Sequence, residues 1–162
     1  MEPAHEFDNA SFNLLQAIVA QAPDAIIFAD REGAIRVWNR GAETVFGYAA
    51  AEVLGSSLDV IIPERLRRAH WEGFHRAVDT GQTKYTGRVL TTRSVHKDGS
   101  KLYVDLSFGL IRNGAGAIAG ALAVGRDCTA RHLAESALRT RLVELEEKTK
   151  IGSNENPQPS HS

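Results

Sequence analysis

A single cysteine, Cys128, stands in the 162 residues of this chain. Neither a disulfide nor a cysteine-based zinc site can form within one copy, and the length is enough to bury a core without either. Long apolar runs are also missing: none approaches the ~18 residues that a spanning helix needs. The opening MEPAHEFDNA carries acids where a secretory signal carries a basic and then an apolar region. The expected location is the cytoplasm, where a lone thiol stays reduced. There is no excess of one charge, since 19 Lys and Arg face 20 Asp and Glu. Neither nucleic acid nor an anionic membrane is therefore an expected partner. Phosphate-loop chemistry is excluded as well, because Gly114 and Gly116 are followed by no Gly-Lys-Ser/Thr and read as a hairpin turn. His75 on a polar helix face and His96 in a turn pair with no carboxylate at metal-ligand spacing.

What is present is a change of period halfway along. In SFNLLQAIVAQAP, Phe12, Leu15, Ile18 and Val19 recur at helical spacing, and Pro23 stops the helix. Two apolar runs flanking Arg31-Glu32-Gly33 predict a β-hairpin. GAETVFGYAAAEVLG predicts one or two short helices closed by Gly47 and Gly55. Pro63 then opens a longer helix at its first position, where a missing N–H is harmless, and Thr80-Gly81 ends it. A strand follows through TKYTGRVLTTRSV to the hairpin signal Asp98-Gly99. In KLYVDLSFGLIRN, Leu102, Val104, Leu106, Phe108 and Leu110 alternate with polar or small residues, the mark of a half-buried antiparallel strand. AIAGALAVGRDC is the last strand. Alternation puts Ala117, Ala119, Ala121 and Ala123 on its second face, which needs a cover, expected from the helix at 11–21.

The expected fold class is α+β: a five-stranded antiparallel sheet with helices on one face, an amphipathic N-terminal helix and a C-terminal signalling helix. The expected organisation is a disordered stretch at 1–10, a capping helix at 11–22, the domain at 23–128, a charged helix at 129–150 and a disordered tail at 151–162. A helical flap over one sheet face encloses an apolar space, either filled by side chains or open to a ligand.

Across about residues 12–130 the chain resembles the PAS domains. The residues that carry the resemblance are Asn39 after the second strand, Phe46-Gly47-Tyr48 and Gly55 around the short helices, Asp98-Gly99 in the hairpin, and Asp127 near the end of the last strand. The resemblance implies a sensory or interaction module rather than an enzyme. Such a module dimerises, binds a small apolar or planar ligand, and passes a signal through its terminal helices to an effector or a transcription regulator. A homodimer through residues 11–21 and 129–149 is expected, with Leu138, Leu142 and Leu145 as the seam of the second segment. The effector itself is not identifiable. Nothing after residue 150 has the composition of a kinase, cyclase or DNA-binding unit.

In PERLRRAHWEGFHRAV, steps of about 100° per residue place Leu66, His70, Gly73, Phe74 and Ala77 on one arc and Arg65, Arg68, Glu72, His75 and Arg76 opposite. His70 therefore faces the sheet. Two readings stay open. The first and favoured one is a buried imidazole satisfied by a backbone carbonyl or polar side chain. The second is a neutral imidazole serving as an axial ligand, with Gly73 leaving room for a flat group. The segment is similar to the haem-bearing PAS domains of rhizobial oxygen-sensor kinases, which makes haem b the leading cofactor candidate. That resemblance implies His70 as proximal iron ligand and Arg76 as a propionate partner. The position of the family's oxygen-contacting arginine falls at Leu90, with Arg88 on the same strand face, and Leu106, Phe108 and Leu122 complete the expected wall. Flavin is not expected, because the helix carries no Asn-Cys-Arg-Phe motif and Cys128 lies past the last strand. A hydrolase using His70 or His75 as base is the remaining alternative; it lacks an activated nucleophile in motif context.

Overall fold

The computed structural model describes residues 8–154, and the chain divides into two units after Cys128. The disorder expected at 1–10 and 151–162 lies mostly outside the described residues. Within them, Asp8 accepts a hydrogen bond from the Ser11 N–H and caps a helix α1, Asn9–Gln21, which thus starts two residues earlier than predicted. None of the residues of α1 is buried.

β1 (Ala25–Asp30) and β2 (Ile35–Trp38) form the predicted hairpin, with Gly33 at φ 81° in its turn. Two short helices follow, α2 (Arg40–Phe46) and α3 (Ala50–Val53), and then a 3-10 turn, Leu58–Val60, that the sequence reading missed. α4 spans Glu64–Thr80. Pro63 is its N-cap residue, one position earlier than predicted. β3 is Val89–Val95, β4 Lys101–Arg112 and β5 Ile118–Asp127. The predicted strand through 83–88 is instead a run of turns. There the Thr83 hydroxyl accepts from the Tyr85 N–H, and Gly87 takes φ 71°. Side-chain oxygens that bond to the local backbone compete with ladder formation.

The five strands form one sheet in the order β2-β1-β5-β4-β3, with every neighbouring pair antiparallel. Its inner face carries Ala25, Ile27, Ala29, Leu102, Val104 and Leu106 into a core closed by Phe46, Val53, Leu58, Phe74 and Val78.

The expected faces of β5 need correcting. Ile118 pairs with Arg112 and Gly120 with Ile111, so Ala119 is an extra residue. A bulge of one residue inverts the alternation beyond it. Ala121 and Ala123 consequently stand opposite Leu110 and Phe108 on the inner face, packed against the core. The outward face holds Leu122 and Val124, beside Phe28 and Ile26.

The second unit is one helix, α5, Thr129–Asn154, four residues longer than predicted. Its Leu138, Leu142 and Leu145 are exposed, and ion pairs Arg131–Glu135 and Arg141–Glu144 run along it.

Candidate functional site: a chamber under helix α4

Between α4 and the inner faces of β3, β4 and β5 lies a cavity of about 490 Å³, within the range of small-molecule sites. The whole predicted arc of α4 (Leu66, His70, Gly73, Phe74 and Ala77) lines it, and Leu90, Leu106 and Phe108 form the opposite wall. Nothing stands over Gly73, so the helix backbone is open at that point. Three predicted site residues lie elsewhere. Arg76 and Arg88 are exposed and not part of the wall. Leu122 pairs with Phe28 on the outward face, as the bulge in β5 requires.

Helix α4 is held over the sheet by contacts that sequence reasoning did not find. The Trp71 indole N–H donates to Asp59 Oδ1 at 2.8 Å. The far edge of the indole fills the place where a side chain at Gly33 would stand. Arg67 donates to the backbone oxygens of Ile62 and Asp59, both at 3.2 Å. At the other end of the helix Arg31 reaches Val78 O at 3.2 Å and Ile118 O at 3.3 Å, tying helix to sheet. Only the glycine of the Arg31-Glu32-Gly33 turn was legible beforehand, and then as a turn signal rather than as a seat for an indole.

His70 is half-buried. Its ring meets Trp71 edge-on, with centroids 4.9 Å apart, and lies 6.0 Å from Phe74. Nδ1 is buried and has no hydrogen-bond partner. The carbonyl or side chain expected to satisfy the ring is thus missing at that nitrogen. Leaving such an atom unpaired costs about 1–3 kcal/mol. Removal from water pushes the imidazole below its ordinary value near 6.5, opposed by the Asp59 carboxylate and assisted by His75. The ring is accordingly neutral at physiological pH, with a lone pair available. The remaining polar wall residues are Thr83, Tyr85, Thr92, Arg93 and Ser94, none of them anticipated. Of these, the Thr92 hydroxyl already donates to Val104 O at 3.0 Å.

Residues 13–128, most of the chain, match the family described as the PAS fold. The chain belongs to the PAS family. Among curated proteins this PAS domain is 29% identical over 102 residues to the sensor protein FixL of Bradyrhizobium diazoefficiens, covering 62% of the chain and 20% of that protein. It is 28% identical over 96 residues to the oxygen sensor protein DosP of Escherichia coli, covering 59% of the chain and 12% of that protein. The chain thus corresponds to a fifth or less of either relative. Among solved structures, the PAS domain of a Colwellia psychrerythraea protein superimposes with a TM-score of 0.63 at 24% identity, covering 74% of this chain and 98% of that one. That likeness shows the fold. Two relatives named as sensors mark this PAS domain as homologous to sensory modules. Among the described residues no helix is long and apolar enough to cross a membrane, and no group of three or more His, Cys, Asp or Glu is placed to hold a metal ion.

Proposed function

We propose that this PAS domain is a ligand-binding sensor in which the chamber under α4 takes a planar, largely apolar molecule anchored at His70, with haem b as the specific candidate. The observation that carries the reading is the His70 ring in the wall of that chamber, whose buried Nδ1 has no hydrogen-bond partner. A side chain kept only to fill space would gain by being apolar or by finding a partner.

The residues present fit haem b in donor and in walls. His70 would be the axial ligand, Gly73 leaves the helix backbone open, and Leu66, Phe74, Leu90, Leu106 and Phe108 supply apolar contact. Arg76 and Arg88, both exposed, could meet propionates only from outside the chamber. When bound, haem supplies an iron site for a diatomic gas. The chain's own contribution is a neutral imidazole, a dry wall and a fixed helix.

The proposed assembly is a homodimer through residues 11–21 and 129–149, relaying to an effector beyond this domain. Phe12, Leu14, Leu15 and Ile18 of α1 are all exposed, which supports a cover from a second chain. A ligand that prefers one arrangement of the terminal helices needs only a coupling of about 1–3 kcal/mol.

An absorption spectrum of the protein as purified, and again after reconstitution with haem, tests the reading. A Soret band present in the wild type and lost in His70→Ala is the expected result. Colourless protein that refuses haem would eliminate haem, and mass spectrometry of whatever the protein retains would then identify the occupant.

A further inference from the structure

We infer that Ser94 reads the occupant of the chamber: the ligand carries a hydrogen-bonding oxygen, a hydroxyl or a carbonyl, at the end that enters first. This rests on the chamber being a ligand site, whichever molecule fills it, and adds a polar group and its orientation.

Among the described residues the buried polar side chains are Asn39, 4% exposed, and Ser94, 6% exposed. They differ in how they are satisfied. Asn39 bonds to Ile26, Ala42, Val19, Ala22 and Asp24. The Ser94 hydroxyl has no partner among the described residues, although most buried hydroxyls find one and an unpaired one is costly. Nor is the atom sealed away, since the side-chain atoms that are both sealed and unpartnered are His70 Nδ1 and Arg93 Nε. The hydroxyl is open, and the space it opens on is the chamber that Ser94 lines. Its place is the deep end. Ser94 pairs with Leu102, which is 5% exposed, and the N–H of Val95 donates to Ile61 O at 3.0 Å. Ile61 and Ile62 line the chamber there, whereas Thr83 and Tyr85 line it among exposed turns. At a rise of about 3.3 Å per residue, Ser94 lies about 13 Å beyond Leu90 along β3.

Other polar residues of the wall are engaged or turned away. The Thr92 hydroxyl donates to Val104 O at 3.0 Å, and the Thr83 hydroxyl accepts from the Tyr85 N–H at 3.2 Å. Arg93 also borders the chamber, but it stands opposite Tyr103, while Thr92 and Ser94 stand opposite Val104 and Leu102 of the core. Alternation along the strand sends its side chain to the outward face, where the guanidinium lies over the Tyr103 ring, 5.5 Å from the centroid. A ligand with an oxygen at Ser94 leaves its apolar body against Leu90, Leu106 and Phe108.

The test uses the full chain and two matched probes, 2-naphthol and 2-methylnaphthalene, which differ by a hydroxyl against a methyl group, with binding followed by equilibrium dialysis. In Ser94→Ala, 2-naphthol should bind about 3- to 10-fold more weakly, the worth of one neutral hydrogen bond, while 2-methylnaphthalene binds at least as well as before. Urea unfolding without probe should find Ser94→Ala no less stable than wild type, because the hydroxyl it removes bonds to nothing in the protein. The same effect on both probes, none included, or a probe-free variant clearly less stable than wild type, would overturn the inference. If neither probe binds the wild type while haem gives a His70-dependent band, Ser94 loses this role and the chamber reading stands. Ser94-dependent binding of 2-naphthol by protein that refuses haem would leave the inference standing and remove haem.

Discussion

Replacing Asn39 with alanine should destabilise the domain far beyond what one small polar side chain suggests. Asn39 is 4% exposed and closes three segments at once. Its Oδ1 accepts from the Ile26 N–H at 2.8 Å and from the Ala42 N–H at 2.9 Å, which joins β1 to the first turn of α2. Its Nδ2 donates to the carbonyls of Val19, Ala22 and Asp24 at 3.0, 3.3 and 2.9 Å, which fastens the end of α1. Gly41, two residues on, lies so close to the backbone of Asp24 and Pro23 that a Cβ there would overlap it. Loss of the N-cap costs about 1 kcal/mol. An orphaned part-buried N–H adds about 1–3 kcal/mol, and the carbonyls lose a donor that water replaces only in part. The sum is about 3–5 kcal/mol out of a typical total of about 5–15. For a domain of this size that corresponds to a Tm lower by about 12–20 °C. Urea unfolding followed by circular dichroism measures it directly. Asn39→Asp separates the two halves of the side chain. It keeps the capping oxygen but points a second oxygen at three carbonyls, so it should be no better than alanine near neutral pH. It should recover in part in acid, where a protonated carboxyl can donate. A loss under about 1 kcal/mol in Asn39→Ala, or an aspartate variant as stable as wild type, would refute the reasoning.

Three further outcomes are expected. His70 titrates below its ordinary value in the folded chain because burial disfavours its cation. The unfolded chain therefore binds the extra proton first, and stability should fall as pH drops below about 6.5 and level off below the folded value. His70→Phe should remove that part of the slope in urea titrations across this range, and an unchanged slope would show that the ring is not the group responsible. Gly33→Ala should be strongly destabilising, since its Cβ would overlap the Trp71 indole and its φ of 81° suits glycine. Combining it with Trp71→Leu should cost less than the two single losses added together, and strict additivity in a double-mutant cycle would contradict the contact. Leu15→Asp, on the exposed apolar side of α1, should convert a dimer into a monomer in light scattering. A wild type that is already monomeric would dispose of the proposed assembly.

The fold was readable wherever one periodicity ruled a segment. The alternation from Leu102 to Leu110 and the arc from Leu66 to Ala77 depend only on local geometry, and both sides of the chamber follow from them. Asn39, read as a family mark after the second strand, is the residue that bonds α1, β1 and α2 together. What stayed hidden depended on a single residue or on distant partners. The bulge at Ala119 leaves no trace in composition, yet it reversed the assignment of Ala121 and sent Leu122 outward. The hydroxyls of residues 83–88 bonded to nearby backbone and turned a predicted strand into turns. Trp71 meets Gly33 across 38 positions, a pairing that no local window contains.

The smallness of β5 has a consequence for how such a sensor changes its stimulus. Ala121, in the middle strand of the sheet, forms part of the floor of the chamber, with Gly109 beside it. Depth is thus governed in the middle of the sheet, by atoms that are not there. Exchanging one alanine for valine would shrink the vessel while the flap, the imidazole and both flanking helices stayed as they are. Descendants of one ancestral receptor could in this way come to answer quite different molecules, using the same output machinery throughout.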